Sequence, residues 1–428
     1  MKLHSSRRVL ASTLGLALGA VALAGCSAGG ASDDTVVVWD YYGQSTPLKA
    51  AIAAFEAANP DVIVDYQAFD YDTLQEKFSV AVSSGTGPDL ATVDMTWLPA
   101  FASKGLLADL DPISGGQLNG ASIESQYSEG AYRAMRYDDA TIAALYDFDA
   151  YALYYRKDIL DQKHLSVPTT WDELVEVASA MAEDDNGDGT PDKYAFQLLP
   201  DSFHYVQLLL QNGGEVLDDS GAVAFDSPAG VGALDFEKRL LDSGGALFWG
   251  PSEGDSSGLP GIQDERIGMF LNGPYMMGVL KDGAPDESGE WAVAPAPFST
   301  RPGSYLGGTG LVIPTNSAHQ SAAWRLAQFL LQPEQQLGVY TEAGAAPATD
   351  AALQLPELQA ADPYFGGQAP FSIFQDAMAT ATPFPYVAAW PQIDQALSDA
   401  STAVLIGQSD SADALAQAAD TARSALGG

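Results

Sequence analysis

Apolar runs of strand length alternate with helical patterns along most of the chain. Residues 35–39 and 62–64 are mainly apolar runs, and between them Leu48, Ile52 and Phe55 recur at the spacing of one helix face. A strand, a helix and a second strand in this order predict a parallel sheet with right-handed crossovers. In such sheets, ligands bind beyond the carboxyl ends of the strands. We therefore predict an α/β fold whose binding residues lie in the loops that follow the strands.

Polar and aromatic residues follow two of the predicted strands. Tyr41, Tyr42 and Gln44 come after the first predicted strand, at 35–39. Asp94 and Trp97 come after the strand predicted at 90–93. These five residues are binding candidates. For one of the two tyrosines, we expect packing under the next helix instead of a ligand contact.

The segment 145–160 combines aromatic and acidic residues more densely than the rest of the chain. Tyr151, Leu153 and Tyr155 alternate as in a strand, and residues 156–158 end that strand and open a helical turn. On its own, the segment fits a buried strand with aromatic packing as well as a strand that lines a ligand site.

The N-terminus has the pattern of a targeting segment. Basic residues precede the apolar run 9–24, which is short for a membrane span. The run leads to Cys26, the single cysteine of the chain, as in a bacterial lipoprotein signal. We predict a signal peptide at 1–25, lipidation of Cys26 and a flexible tether at 26–34. An ordinary signal peptide with a chance cysteine is the alternative, and the export route, general secretory or twin-arginine, stays open.

Length and charge limit the function classes. A chain of 428 residues is long for a single core, which favours two domains. The formal net charge of −37 argues against nucleic-acid binding, which requires a basic face. The sequence contains no metalloprotease or phosphate-loop motif.

An acidic loop has the ligand spacing of a calcium-binding loop. Asp184, Asn186, Asp188 and Asp192 fall at the first, third, fifth and ninth positions. The twelfth position is Ala195 where a bidentate glutamate is usual. A structural calcium ion and a metal-free polar turn are both open, and no other cofactor is expected.

Several ordered motifs resemble the family 1 solute-binding proteins of ABC importers. The clearest are Tyr155-Arg156-Lys157-Asp158, in which Arg156 replaces the asparagine of the family, and the strand that leads into Asn272-Gly273-Pro274-Tyr275. The resemblance covers residues 35–428. The other matching stretches are 84–89, 171–173, 291–297, 306–314, 344–347 and 384–390.

The resemblance implies a two-lobe α/β fold of the periplasmic-binding-protein type, with a hinge of crossing segments and a ligand cleft between the lobes. It places the first lobe at 35–147 and 307–362, and the second at 149–305 and 366–428. It implies a monomeric, non-enzymatic protein on the outer face of the cell membrane. Such a protein captures a neutral mono- or oligosaccharide by lobe closure and delivers it to the permease subunits of an ABC transporter.

The resemblance also implies the ligand contacts. Asp149, Trp97, Tyr275 and Trp390 hold positions that contact sugar in the family, and the two rings at Tyr275 and Trp390 are expected to be partly exposed in the empty protein. His204 is a candidate hydrogen-bond partner, with packing as the alternative. The full set of predicted contacts is Tyr41, Tyr42, Gln44, Asp94, Trp97, Phe148, Asp149, His204, Tyr275, Gly308 and Trp390.

Two other functions fit the same residues. An acidic cleft also suits a non-sugar solute such as a polyamine. A lipid-anchored glycosidase would also use aromatic and acidic residues, with two carboxyl groups roughly 5–10 Å apart.

Overall fold

The computed structural model describes residues 35–41, 47–250 and 258–427. Two β-sheets organise this part of the chain, and each sheet packs against its own hydrophobic clusters. We refer to the region around the larger sheet as the first lobe and to the region around the smaller sheet as the second lobe.

The strands are β1 Thr35–Asp40, β2 Ile63–Ala68, β3 Leu90–Asp94, β4 Gln117–Leu118, β5 Ala121–Ser122, β6 Arg136–Tyr137, β7 Ala140–Thr141, β8 Ala144–Asp149, β9 Ala152–Arg156, β10 Tyr194–Leu198, β11 Ala246–Phe248, β12 Ile267–Asn272, β13 Trp291–Ala294, β14 Tyr305–Val312, β15 Ala346–Pro347 and β16 Thr382–Pro383.

The α-helices are α1 Pro47–Ala58, α2 Tyr71–Ser84, α3 Leu98–Ala102, α4 Leu110–Ser114, α5 Glu129–Ala134, α6 Lys157–Lys163, α7 Trp171–Met181, α8 Ser202–Gln211, α9 Pro228–Asp242, α10 Leu259–Gln263, α11 Met276–Gly283, α12 Gln320–Leu330, α13 Pro333–Ala343, α14 Asp350–Leu353, α15 Pro370–Ala379, α16 Trp390–Leu405 and α17 Ser411–Leu426.

The first sheet has the strand order β15-β8-β14-β3-β1-β2, and β16 pairs with β14 outside this path. Strand β1 runs parallel to β2 and β3, as the order of apolar runs predicts. Strand β14 is antiparallel to both β3 and β8, so β8 points in the same direction as β1 and β3. The carboxyl ends of β1, β3 and β8 therefore lie along one edge of the sheet.

The second sheet has the order β11-β10-β12-β9-β13, with β9 antiparallel to both of its neighbours. The segment 145–160 supplies a strand to each sheet, because β8 ends at Asp149 and β9 begins at Ala152. The chain thus passes from the first sheet to the second within residues 150–151. It returns at 295–304, between β13 and β14, and α15 then packs on β9 and β13 of the second sheet.

Local sequence signals set the ends of several helices. The Asp70 side chain accepts a hydrogen bond from the Thr73 amide at the start of α2, and Gly85 ends that helix in the left-handed region. Thr170 and Glu173 form a reciprocal capping box at the start of α7.

Within 35–41, 47–250 and 258–427, every helix is too short or too polar to cross a membrane.

Candidate functional site

An aromatic cluster lies at the carboxyl edge of the first sheet. Tyr41 directly follows β1, and Trp97 ends the 3-10 turn that follows β3. Their ring centroids are 5.7 Å apart, and the ring of Tyr71 lies 4.5 Å from Trp97 and 5.3 Å from Tyr41. The Tyr41 hydroxyl lies 2.5 Å from the Thr309 hydroxyl of β14, which fixes the orientation of its ring.

Asp94 and Asp147 lie near these rings, and Asp149 lies near Asp94. Asp94 caps the turn after β3, where one of its oxygens accepts hydrogen bonds from the amide and hydroxyl of Thr96 at 2.8 and 2.6 Å. Asp147 and Asp149 are two residues apart on β8, so their side chains share one face of the strand. Burial raises the pKa of all three groups, and the pKa of Asp149 reaches about 7.

Residues of the second lobe face the same acids. A side chain at Gly273, in the turn after β12, would lie 2.6 Å from a carboxylate oxygen of Asp149. Burial raises the pKa of Tyr275, and the Asp149 charge raises it further. Burial also raises the pKa of Asp394 on α16 to about 6, and Asp94 is among the charges that add to this rise. The two lobes therefore bring tyrosines and carboxylates together at one interlobe cleft.

Trp390 lies in the core of the second lobe. Its side chain is 1% exposed, and its ring meets that of Phe384 edge-on at 4.7 Å. The expectation of a partly exposed ring was therefore wrong, because Trp390 begins α16 and this end of the helix packs into the lobe. Its contact with a ligand stays a prediction. Tyr275, in contrast, is half-buried, as expected for a ring at the cleft.

Backbone geometry determines the orientation of Phe148 and the requirement for glycine at 308, two other residues that were predicted to contact ligand. Phe148 lies between Asp147 and Asp149 on β8, so its ring points to the opposite face and is buried in the first-lobe core. Its contact with ligand stays a prediction. Gly308 has a φ of +142°, and a Cβ there would lie 2.2 Å from the Asp147 carbonyl oxygen. Glycine is thus required at 308 for close strand packing, and its contact with ligand stays a prediction.

His204 already has protein partners at both ring nitrogens. Nδ1 lies 2.8 Å from an Asp201 carboxylate oxygen and Nε2 lies 2.9 Å from the Leu271 carbonyl oxygen. Because neither acceptor can donate, this arrangement favours the doubly protonated ring. Burial opposes the charge, but Asp201 and Leu271 outweigh it and raise the pKa of His204. A ligand contact by His204 stays a prediction, and it requires one of these bonds to open.

Several site residues were not predicted from the sequence. Asp147 lies two residues before Asp149, so in a strand it faces the same side, and Asp394 lies one helical turn after Trp390. Both positions could therefore have been predicted from their distance to a predicted site residue. No feature of the sequence distinguishes Tyr71, Tyr151 and Tyr305 from tyrosines of the core. Tyr151 stands at the crossing between the lobes, with its ring 4.9 Å from that of Tyr305.

Three predicted residues lie outside the described part of the chain. Tyr42 and Gln44 fall within 42–46, and Cys26 falls within 1–34. Their roles stay predictions.

In the acidic loop at 184–192, backbone amides donate hydrogen bonds to the aspartate side chains of the same loop. Asp184 accepts hydrogen bonds from the amides of residues 187–189, and Asp192 accepts from the amides of Asp185 and Asn186. Among the residues that the structure describes, no three His, Cys, Asp or Glu side chains are grouped as metal ligands. The oxygen donors suit calcium chemically. The calcium site therefore stays a prediction.

Calcium removal tests this loop. Because a bound ion stabilises only the folded state, we expect a chelator to lower the melting temperature by a few degrees and added calcium to restore it. Asp188→Ala should abolish the sensitivity to chelator. Asp218→Ala is the control, because Asp218 closes another exposed turn of the second lobe through Ser220 and Ala222. If the melting temperature is the same with and without chelator, the loop is a metal-free polar turn.

The chain matches a known protein family over most of its length. Residues 42–337 match the family model described as bacterial extracellular solute-binding protein. A binding protein of Brucella abortus is 25% identical over 421 residues, 96% of this chain and 98% of that protein. The diacetylchitobiose binding protein of Streptomyces coelicolor is 24% identical over 442 residues, 96% of this chain and 97% of that protein.

A solved structure shows the same fold. The GacH receptor of Streptomyces glaucescens, determined without ligand and in complex with acarbose and an acarbose homologue, superposes with a TM-score of 0.81. It is 25% identical to this chain, and the match covers 92% of this chain and 98% of the receptor.

Proposed function

The chain belongs to the bacterial extracellular solute-binding proteins, and we propose that it captures a carbohydrate in the interlobe cleft and delivers it to the permease of an ABC transporter. Family membership and the two-lobe fold confirm the resemblance predicted from the sequence. The identity of the solute and the delivery step are the proposal.

The observation that carries the proposal is the pairing of rings with carboxylates in the cleft. Tyr41, Tyr71 and Trp97 lie beside Asp94 in the first lobe, and Tyr275 lies beside Asp149 across the cleft. A sugar presents apolar C–H faces that pack on aromatic rings and hydroxyl groups that donate to carboxylates. The cleft offers both kinds of contact, whereas a purely apolar solute would leave the carboxylates unpaired.

The relatives support the same solute class. One is described as binding diacetylchitobiose, and the GacH receptor was determined with acarbose. Calorimetric titration with mono- and disaccharides should therefore give saturable binding. Absence of binding to every saccharide in the panel would overturn the proposal.

Tyr275→Ala tests the cleft directly. If the half-buried ring covers a sugar face, its removal should weaken saccharide binding by about 1–3 kcal/mol, which is roughly 5- to 150-fold in Kd. The matched control is Tyr340→Ala, because the half-buried Tyr340 ring packs against the same hydrophobic cluster as Tyr275 and edge-on to Phe371. Unchanged affinity for Tyr275→Ala, with a lowered melting temperature, would leave Tyr275 a packing residue only.

We further propose that the cleft binds its solute without catalysing a reaction on it. A glycosidase would also place two carboxyl groups near each other, as Asp94 and Asp149 are, but the family consists of binding proteins. Oligosaccharides incubated with the protein should be recovered unchanged by chromatography. Appearance of shorter products would overturn this part of the proposal.

A lipid on Cys26 would hold the protein at the outer face of the membrane. Cys26→Ser should release the protein into the medium, because the chain then has no thiol for lipidation. Partition between medium and membrane fractions measures this, and Ser27→Ala is the control that should stay with the membrane. A Cys26→Ser protein that remains in the membrane fraction would contradict the anchor. We propose that the released protein is a monomer, which size-exclusion chromatography checks.

A further inference from the structure

Tyr386 stands between the cores of the two lobes. It lies in the segment 384–389, which leads from β16 into α16. Its half-buried ring packs against the large hydrophobic cluster of the first lobe and against that of the second lobe. Among the partly buried hydrophobic residues that the structure describes, it is the one that packs against both clusters. Tyr386 is therefore a direct contact between the lobes.

The hydroxyl group of Tyr386 reaches two first-lobe residues. It donates a hydrogen bond of 2.8 Å to the carbonyl oxygen of Leu306, whose side chain packs against the first-lobe cluster. It also lies 3.8 Å from the sulfur atom of Met95, a fully buried residue that begins the turn after β3. Phe384 and Val387, on either side of Tyr386 in the sequence, pack in the second-lobe cluster. The side chain thus extends from the second lobe to the first.

This contact joins the elements that carry the site. Met95 lies between Asp94 and Trp97 in the chain, and α16 of the second lobe packs on the turn 95–97. Burial raises the pKa of Tyr386, and the charge of Asp94 adds to this rise, as expected for groups that share one environment. A change in the contact between Tyr386 and Met95 would therefore alter how Asp94 and Trp97 face the second lobe.

We propose that Tyr386 is a positioning residue, which holds the turn 95–97 of the first lobe against the second lobe and thereby sets saccharide affinity. This inference rests on the proposed carbohydrate function and names a residue that controls it. A solute between two lobes binds tightly only when both sides of the site are in place. A contact that stabilises this arrangement therefore raises the apparent affinity for every saccharide by the same factor.

Removal of the hydroxyl group tests the inference. The probes are glucose, galactose, maltose, lactose, cellobiose and diacetylchitobiose, titrated calorimetrically. Tyr386→Phe keeps the ring and should raise the Kd of each saccharide that binds by one common factor of about 2- to 12-fold, the range for the loss of one hydrogen bond. Tyr386→Ala, which also removes the ring between the two clusters, should enlarge this factor. Melting curves verify that both variants are folded.

Small-angle X-ray scattering tests the contact between the lobes without any saccharide. Because Tyr386→Phe weakens that contact, the variant should have a larger radius of gyration than the wild type. This measurement depends on the position of the lobes and not on the identity of the solute.

Tyr364→Phe is the matched control. The Tyr364 hydroxyl also donates to a backbone carbonyl at 2.8 Å, that of Ala284, but both residues belong to one cluster of the second lobe. The control should keep the wild-type Kd values and radius of gyration, whatever its melting temperature. If Tyr386 had only a packing role, the two variants would behave alike.

The outcomes separate this inference from the carbohydrate function. An unchanged Kd or an unchanged radius of gyration for Tyr386→Phe would overturn the positioning role and leave the carbohydrate function intact. Factors that differ from one saccharide to the next would also overturn it, because Tyr386 would then contact the solute itself. A larger radius of gyration in a protein that binds none of the saccharides would support the contact between the lobes and overturn the carbohydrate function.

Discussion

Replacing Trp390 with alanine should lower the free energy of unfolding by about 3–5 kcal/mol, the usual range for a large buried aromatic ring. The side chain is 1% exposed and packs against Phe384, whose ring in turn lies 4.6 Å from that of Tyr305. Alanine would leave a cavity that this rigid group of rings cannot close. Chemical denaturation of the wild type and the variant measures the loss.

Two further variants separate packing from ligand contact. Trp390→Phe should lose much less stability, because it keeps most of the ring and removes an indole N–H that has no partner among the described residues. Trp171→Ala is the matched control, since Trp171 stacks on Phe236 at 4.3 Å in the same lobe but away from the cleft. If Trp390→Ala melts like the wild type yet loses saccharide affinity, the ring is a ligand contact and the packing account fails.

The sequence predicts the elements of this fold well where the signal is local. Strand β1 follows from the apolar run at 35–39, and α7 follows from the capping box of Thr170 and Glu173. The crossing at 150–151 is less visible, because one alternating aromatic stretch contains two strands that belong to different sheets. Strand patterning reports that a residue is extended, but it does not report which sheet the strand joins.

The cleft is harder to predict because its residues meet only after folding. Asp94 and Asp394 are 300 positions apart in the numbering, yet in the folded chain Asp94 adds to the rise that burial causes in the pKa of Asp394. For Trp390, a partly exposed ring was expected, but packing at the start of α16 buries it. Alternation along β8 turns the Phe148 ring away from the two acids that flank it in sequence, which proximity in the sequence alone does not reveal.

The contribution of Asp149 to the free energy of unfolding should fall as pH rises. Burial raises the pKa of Asp149 to about 7, and the charge of Asp94 adds to this rise. In the unfolded chain the same group has a pKa of about 3.9. Between these values the folded state holds a proton that the unfolded state has lost. Its stabilising contribution is therefore fully present below about pH 4 and is lost as pH rises through about 7.

Asp149→Asn should raise the free energy of unfolding by about 1–3 kcal/mol at pH 8 and have little effect at pH 4, because asparagine never carries the charge that the cleft disfavours. Melting curves of both proteins across this range measure the difference. Asp218→Asn is the opposite control: hydrogen bonds from the Ser220 hydroxyl, the Ala222 amide and the Ser220 amide lower the pKa of Asp218, so its stabilising effect is present above about pH 4 and is lost in acid. If Asp149→Asn instead destabilises the protein at pH 8, the folded chain already compensates the Asp149 charge.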